Sequence, residues 1–364
     1  MSLAGRGGKG GRGGKGGRGG RGGRGGRGGD DFGTDHSGGP SSALLSDALV
    51  TTHDGIVGYW DGAPAAPVPA APLGGADHET QYLTRETRAD VVAGLLHGAF
   101  AVAGGSASAT LSQLAVPIFS LTRPGLGFFA AQLPRVRAHA DLRDDRLAEI
   151  LAQQDDILSF FGLIGLLDDG RRRWTLDLLS AVQGLAVHIE MPIKHFCRMP
   201  RPIDHSPKVQ PVIQTPDHST FPAGHAVEAF AVAAVLDRLM RHSGWAAPSF
   251  TEMPFLVAHR IAVNRCIAGL HFPVDLAVGA VIGGLIGQAV ARMAFGLPPP
   301  SGTTVIAPDR AGTAMQVNGA AATFGQGDDF RLSWLASVMP PPPAGAPVQS
   351  VIGECWRLAQ AEWP

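Results

Sequence analysis

An all-α helical bundle behind a long disordered N-terminal tail is the architecture this sequence predicts. Three observations predict it. Residues 1–29 repeat Arg-Gly-Gly and Lys-Gly-Gly, with eight basic side chains, no acidic ones and almost nothing able to enter a core; such a segment cannot offset its ordering entropy. Between Val91 and Ala291 apolar residues recur at spacings of three and four, the period of one helix face. The breaks between those stretches carry Gly, Pro and Asp, which stop helices.

The tail is scaffolding for charge rather than for structure. The whole chain is formally −1, so with eight positive charges in the tail the remainder is −9. Arginine–glycine tracts bind nucleic acid or anionic surfaces through charge and stacking, but no aromatic residue interleaves here before Phe32, so weak, nonspecific electrostatics is the expectation for residues 1–29. The tail has no apolar h-region of a secretory signal, which points to a cytoplasmic location. Cys197, Cys266 and Cys355 have no paired spacing, so neither a disulfide framework nor a zinc pattern is expected. Composition divides the chain into an Arg/Gly-rich tail (1–35), a Pro/Ala-rich linker arm (36–85, with Pro64–Pro72 at its centre), a helical domain (86–297) and a Pro/Gly-rich extension (298–364).

Within the helical domain, Asp90 reads as the N-cap of a helix carrying Leu95, Leu96, Phe100 and Val102. A second helical segment is expected over Ser112–Leu121, interrupted at Pro117. Asp141–Leu167 reads as one long amphipathic helix, with Leu147, Ile150, Leu151, Ile157, Leu158 and Phe161 opposite Glu149, Gln153, Asp155 and Asp156. Trp174 to Met199 forms the next helix, kinked or restarted at Pro192. Further helices run from Gly224 to about His242, over 254–268, and from Pro273 onward. Leu276–Ala291 has Gln288 as its only polar residue, but it falls short of the ~20 residues of a membrane span. Gly279, Gly283 and Gly287 recur every fourth position and admit a close helix neighbour, so a soluble core is favoured over membrane association. In the extension, Trp334-Leu335 and Ile352–Ala361 read as short docking segments.

The chemistry lies in three groups. Lys194 is followed seven positions later by Arg201-Pro202, and if helix persists these two side chains point the same way, about two turns apart. Phe221-Pro222-Ala223-Gly224-His225 enters a helix whose N-terminal N–H groups at Gly224 suit an anion. Asn264-Arg265 precedes His271 and Asp275, and Asp275 is close enough to accept the His271 Nδ1–H and leave Nε2 bare. Two arginines, a lysine and two histidines together make a pocket for a tetrahedral oxyanion, with a nucleophile or ligand and a proton donor beside it. The Pro202–Thr220 loop, with Asp204, His205, Asp217 and His218, would overhang that pocket; its spacings support no metal site.

In these motifs the chain resembles the superfamily of type 2 phosphatidic-acid phosphatases, which also contains bacterial acid phosphatases and vanadium-dependent haloperoxidases. The family signature is Lys-x6-Arg-Pro, Pro-Ser-Gly-His and Ser-Arg-x5-His-x3-Asp. The resemblance covers residues 86–297. It implies that Lys194, Arg201, Arg265 and the Gly224 N–H hold the anion, that His225 is the acid–base, that His271 is the nucleophile or vanadate ligand, and that Asp275 orients it. Ala223 and Asn264 replace the two family serines, and at 223 a hydroxyl that would bond the anion is missing. The implied activity is metal-independent hydrolysis of a small phosphorylated substrate through a phosphohistidine, without a cofactor. Its pH profile would be bell-shaped, with both limbs from histidines. The alternatives are a haloperoxidase using vanadate in the same pocket, and a weakened anion-binding or interaction protein.

Overall fold

The computed structural model of the chain describes residues 43–58, 61–63, 80, 83–241, 252–319 and 322–363. The predicted tail (1–35) and Pro64–Pro72 lie outside them. In chain order the elements are α1 (Ala43–Val57), α2 (Arg85–Ala99), β1 (Phe100–Gly105), β2 (Ser108–Gln113), β3 (Val116–Thr122), α3 (Leu126–Ala131), α4 (Leu133–His139), α5 (Arg143–Ala152), α6 (Leu158–Gly165), α7 (Arg173–Cys197), α8 (Pro202–His205), α9 (Gly224–Met240), α10 (Met253–Ile267), α11 (Pro273–Ala294), β4 (Thr304–Pro308), β5 (Ala314–Val317), β6 (Phe324–Gly325), α12 (Leu332–Val338) and α13 (Val351–Ala361).

The all-α expectation is overturned by a six-stranded mixed sheet of order β1-β2-β3-β4-β5-β6. Where a helix was expected over Ser112–Leu121, a hairpin forms instead. Ala109, Leu111 and Gln113 alternate inward on β2, and Ile118, Phe119 and Leu121 turn inward on β3; that period of two outweighs the helix spacing. Leu114 and Ala115, both at positive φ (48° and 67°), make the tight connection. Pro117 falls beside a bulge at Leu111/Ser112, where the ladder is already interrupted. The predicted first helix likewise stops at Ala99, so Phe100 and Val102 belong to a strand, and its cap is Thr84, which accepts the Thr87 N–H, rather than Asp90. The stretch read as a linker arm contains α1.

β3 and β4 pair in parallel, which makes the helices between them the crossover connection of the sheet. The extension is therefore structural: it supplies β4, β5 and β6, then α12 and α13, and buries Trp356 edge-on against Phe295 at 5.4 Å. Both β1 and β2 lie against α7, with Gly104 pressed onto the Phe196 ring so closely that a Cβ there would come within 2.6 Å of it.

The expected Asp141–Leu167 helix is broken into a 3₁₀ turn, α5 and α6. Asp156 accepts the Ser159 N–H at 3.0 Å and starts the second piece, so a local cap wins over the continuing apolar pattern. The break releases the backbone carbonyl of Gln153 from the helix ladder.

The helices that carry the three sequence groups match their predicted extents closely. α7 buries Leu178, Val182, Leu185, Ile189 and Ile193 along one stripe. α9 and α11 meet backbone to backbone, because Gly279, Gly283 and Gly287 face α9: a Cβ on Gly283 would lie 2.3 Å from the Val227 carbonyl, and one on Gly279 would lie 2.8 Å from the Ala223 carbonyl. By length and composition Arg173–His205 and Pro273–Ala294 are apolar enough to cross a membrane, and 94 % of the apolar window of Pro273–Ala294 is buried within the protein, against 44 % for the other.

Candidate active site

α11 starts where the site starts. Pro273 opens it, and Asp275 turns back so that its Oδ2 accepts the Phe272 N–H at 2.9 Å. The same oxygen accepts the Thr220 hydroxyl at 2.5 Å and the His271 Nδ1–H at 3.1 Å. With the proton on Nδ1, the Nε2 of His271 carries a lone pair, and the Arg201 Nη1–H reaches it at 2.9 Å. Burial, with Arg201 and Lys194 adding to it, holds the His271 imidazole well below its usual value. Burial pushes Asp275 up to about 6, against the stabilising bonds from Thr220 and Phe272. A ring nitrogen whose lone pair accepts from Arg201, with a buried carboxylate behind the other nitrogen, is held in the orientation a nucleophile needs once the arginine is drawn off.

The three basic residues converge from different elements. Lys194, 1 % exposed, does not share a helix with Arg201, because α7 ends at Cys197 and Arg198 takes the left-handed cap at φ 46°. Instead the chain turns, and Arg201 enters from the N-cap position of α8. The Lys194 ammonium donates to the carbonyls of Ser219 (3.1 Å) and Pro222, tying α7 to the loop before α9; burial pushes it down to about 8. Arg201 is locked by the His218 carbonyl at 3.1 Å, the Leu270 carbonyl at 3.1 Å and His218 Nδ1 at 3.1 Å. Arg265 on α10 donates to the Ile150 carbonyl and to Gln153 Oε1, at 3.2 and 2.9 Å, while its buried Nε has no partner among the described residues. Burial lowers both arginines to about 10, which leaves them charged at neutral pH.

Gly224 is the first residue of α9, and Ala223 is its N-cap, bonded through its N–H to the Asp275 carbonyl at 3.0 Å and without a side-chain cap. That bond joins the second and third sequence groups. His225 differs from its expected pose. Its Nε2–H donates to the Gln153 carbonyl at 2.7 Å, the carbonyl freed by the α5–α6 break, and burial beside Arg265 lowers it to about 3. Asn264 bonds Glu149 and Gln153 at 3.0 and 3.1 Å, so the residue in place of the third-motif serine links α10 to α5.

Several contributors escaped the sequence. Thr220 stands one residue before Phe221-Pro222 and positions the His271–Asp275 pair. His218, lowered to about 4 by burial, holds Arg201 as a neutral ring. Gln153, read as part of a solvated face, bridges Arg265, Asn264 and His225. Glu190 lies one helical turn before Lys194 on the buried stripe of α7, and that i, i+4 spacing was a signal available from sequence. Lys194 and Arg201 line a cleft of about 850 Å³ together with Met191, Met199, Ile203 and the loop residues 215–219. No three His, Cys, Asp or Glu side chains among the described residues stand together as a metal site.

Residues 174–298, from the start of α7 to just past the end of α11, match the PAP2 superfamily. Two curated relatives from Mycobacterium tuberculosis (strains CDC 1551 / Oshkosh and ATCC 25618 / H37Rv), each a decaprenylphosphoryl-5-phosphoribose phosphatase, are 30 % identical to this chain over 135 residues. The aligned stretch is 37 % of this chain and 68 % of each relative.

Proposed function

This chain belongs to the PAP2 superfamily, and from that premise we propose that it hydrolyses phosphate esters through a phosphohistidine on His271. Ester hydrolysis has the support of the family and of relatives named as phosphatases. The observation that carries the mechanism is the Nε2 lone pair of His271, backed by Asp275 at Nδ1 and met by Arg201 on the other side.

The phosphoryl group enters between Lys194, Arg201 and Arg265, whose charges neutralise its oxygens as negative charge builds. Arg201 turns its Nη1–H from His271 Nε2 to an oxygen of the phosphoryl group, the freed Nε2 attacks phosphorus, the ester oxygen departs, and Asp275 stabilises the imidazolium that forms. The departing oxygen takes its proton from His225. For that, the His225 ring exchanges the Gln153 carbonyl for the leaving oxygen, and the negative charge of the bound phosphoryl group raises its basicity from the low value of the free pocket. Water then releases phosphate from His271, with His225 as the base. The substrate is taken to be a small phosphorylated molecule entering through the cleft beside Met191 and Ile203, and a cytoplasmic location belongs to the same proposal; activity that pellets with membranes would overturn the latter.

The test uses p-nitrophenyl phosphate with the wild type and His271→Ala. Turnover should fall by at least about a thousandfold in the variant, and rapid quenching of the wild type should trap acid-labile phosphate on protein. A variant that keeps its activity ends the phosphohistidine mechanism. Bromination with vanadate and peroxide, without phosphate release from the ester, would replace hydrolysis by haloperoxidase chemistry.

A further inference from the structure

Glu190 is a carboxyl group buried between α7 and the first residue of α9, with one oxygen that has no partner among the described residues. It is 5 % exposed, and the oxygen without a hydrogen-bond partner is Oε2. Lys194, one turn further along α7, gives its ammonium protons to Ser219 and Pro222 instead. The side chain crosses from α7 to the first residue of α9. A Cβ on Gly224 would come 2.4 and 2.6 Å from the two carboxyl oxygens, so the carboxyl fills the space that a side chain at 224 would take. It therefore stands at a helix N-terminus, next to Ala223.

We propose that Glu190 is a hydrogen-bond donor to the bound phosphoryl group, its protonated carboxyl supplying from α7 the O–H that Ala223 does not. The proposal deepens the phosphate-ester reading and rests on it for the identity of the anion.

The surroundings favour the neutral form. Burial is the largest influence and pushes Glu190 up to about 8; Lys194 on α7 and Arg201 beyond its end pull the other way, while Glu228 on α9 reinforces burial. Glu228 is itself raised by burial and accepts from Gln183 at 2.8 Å. Arg265 on α10 acts in turn on Glu228 and on His225 of α9. A neutral carboxyl has one O–H to give, and an incoming phosphoryl oxygen is a strong acceptor for it. Ionised, the same group would repel the phosphate from the helix terminus. Placed beside Gly224, a protonated glutamate does the work of a serine hydroxyl from a neighbouring helix.

The experiment compares the wild type, Glu190→Gln and Glu190→Leu for binding of inorganic phosphate by calorimetry at about pH 6.5, on the acid side of the value to which burial raises the carboxyl. Glutamine keeps an N–H donor in nearly the same shape, and leucine keeps only the bulk. The glutamine variant should stay within about threefold of wild type, while the leucine variant should bind at least about tenfold more weakly, the loss of one charge-assisted bond. Infrared difference spectra on adding phosphate should show the protonated-carboxyl C=O band of the wild type moving to lower frequency, and no such band in Glu190→Gln. That second readout decides the matter if Glu190→Leu does not fold. Equal affinity in the leucine variant, equal weakening in both variants, or a carboxyl band that phosphate does not move would each overturn the assignment. Phosphate binding with this pattern but no ester turnover would defeat the hydrolysis reading and leave the donor in place.

Discussion

His271 and His225 are both driven toward the neutral form by burial, but their ring nitrogens face different partners. His271 accepts from Arg201 at Nε2 and gives its Nδ1–H to Asp275, whereas His225 spends its Nε2–H on a backbone carbonyl. The bell-shaped profile expected from two titrating histidines therefore changes its owners. The acid limb passes to Asp275, raised to about 6: the site works with this carboxylate ionised, so activity is present above that value and is lost as pH falls through it. The alkaline limb passes to Lys194, lowered to about 8: its charge holds the anion below that value and is lost as pH rises through it, in the same range where Glu190 ionises. With substrate ionisation corrected, kcat/KM should fall on both sides of a maximum near neutrality. The acid limb should be nearly insensitive to temperature, as carboxyl ionisation is; a limb that moves with temperature as an imidazole does would return it to a histidine.

At the scale of elements, the glycine stripe of α11 sets the site's geometry. Contact between the α9 and α11 backbones brings the start of α9 against the start of α11, where the Ala223 N–H reaches the Asp275 carbonyl. A methyl group on Gly283 would lie 2.3 Å from the Val227 carbonyl, and a helix backbone cannot yield as a flexible side chain does. Gly283→Ala should cost about 1–3 kcal/mol by overpacking, read as a lower urea midpoint at unchanged m. Turnover should fall too, because separating the helices shifts Gly224 relative to His271. A midpoint equal to wild type would mean that the two helices have room to spare.

Over the whole molecule, segments far from α7 in sequence, α2 before it and the stretch after α13, hold that helix in place. Arg88 on α2 reaches Asp177 on α7 at 2.5 Å and lies over the Trp174 ring at 4.1 Å. From the stretch after α13, the Glu362 carboxylate accepts the Trp174 and Thr175 N–H groups at 2.9 Å each, capping the helix that carries Glu190 and Lys194 from a point 188 residues away in sequence. Negative charge at those unpaired N–H groups stabilises α7. Glu362→Ala should remove about 1 kcal/mol and lower Tm by about 2–4 °C, leaving kcat within about twofold, since no anion ligand is touched. A large loss of kcat at an unchanged Tm would contradict a purely capping role.

Local physics made much of this protein readable from its sequence. Apolar residues at spacings of three and four, with Pro273 and Gly224 at helix starts, act over one or two turns. They determined α7, α9, α10 and α11, and with them the order of Lys194, Arg201, Gly224, His225, Arg265, His271 and Asp275. The His271–Asp275 pair was legible for the same reason, four residues being a short reach. Tertiary structure alone decided the rest. The β2–β3 hairpin and the parallel β3–β4 pair depend on strands that find partners across the chain, and the first of them contains a proline and apolar spacings that also suit a helix. Gln153 became a ligand of Arg265 and His225 only because a cap at Asp156 broke the expected long helix and freed a carbonyl. Glu190, an ordinary carboxylate in the sequence, is buried because α9 arrives beside it with a glycine, and its Oε2 is left without a partner among the described residues.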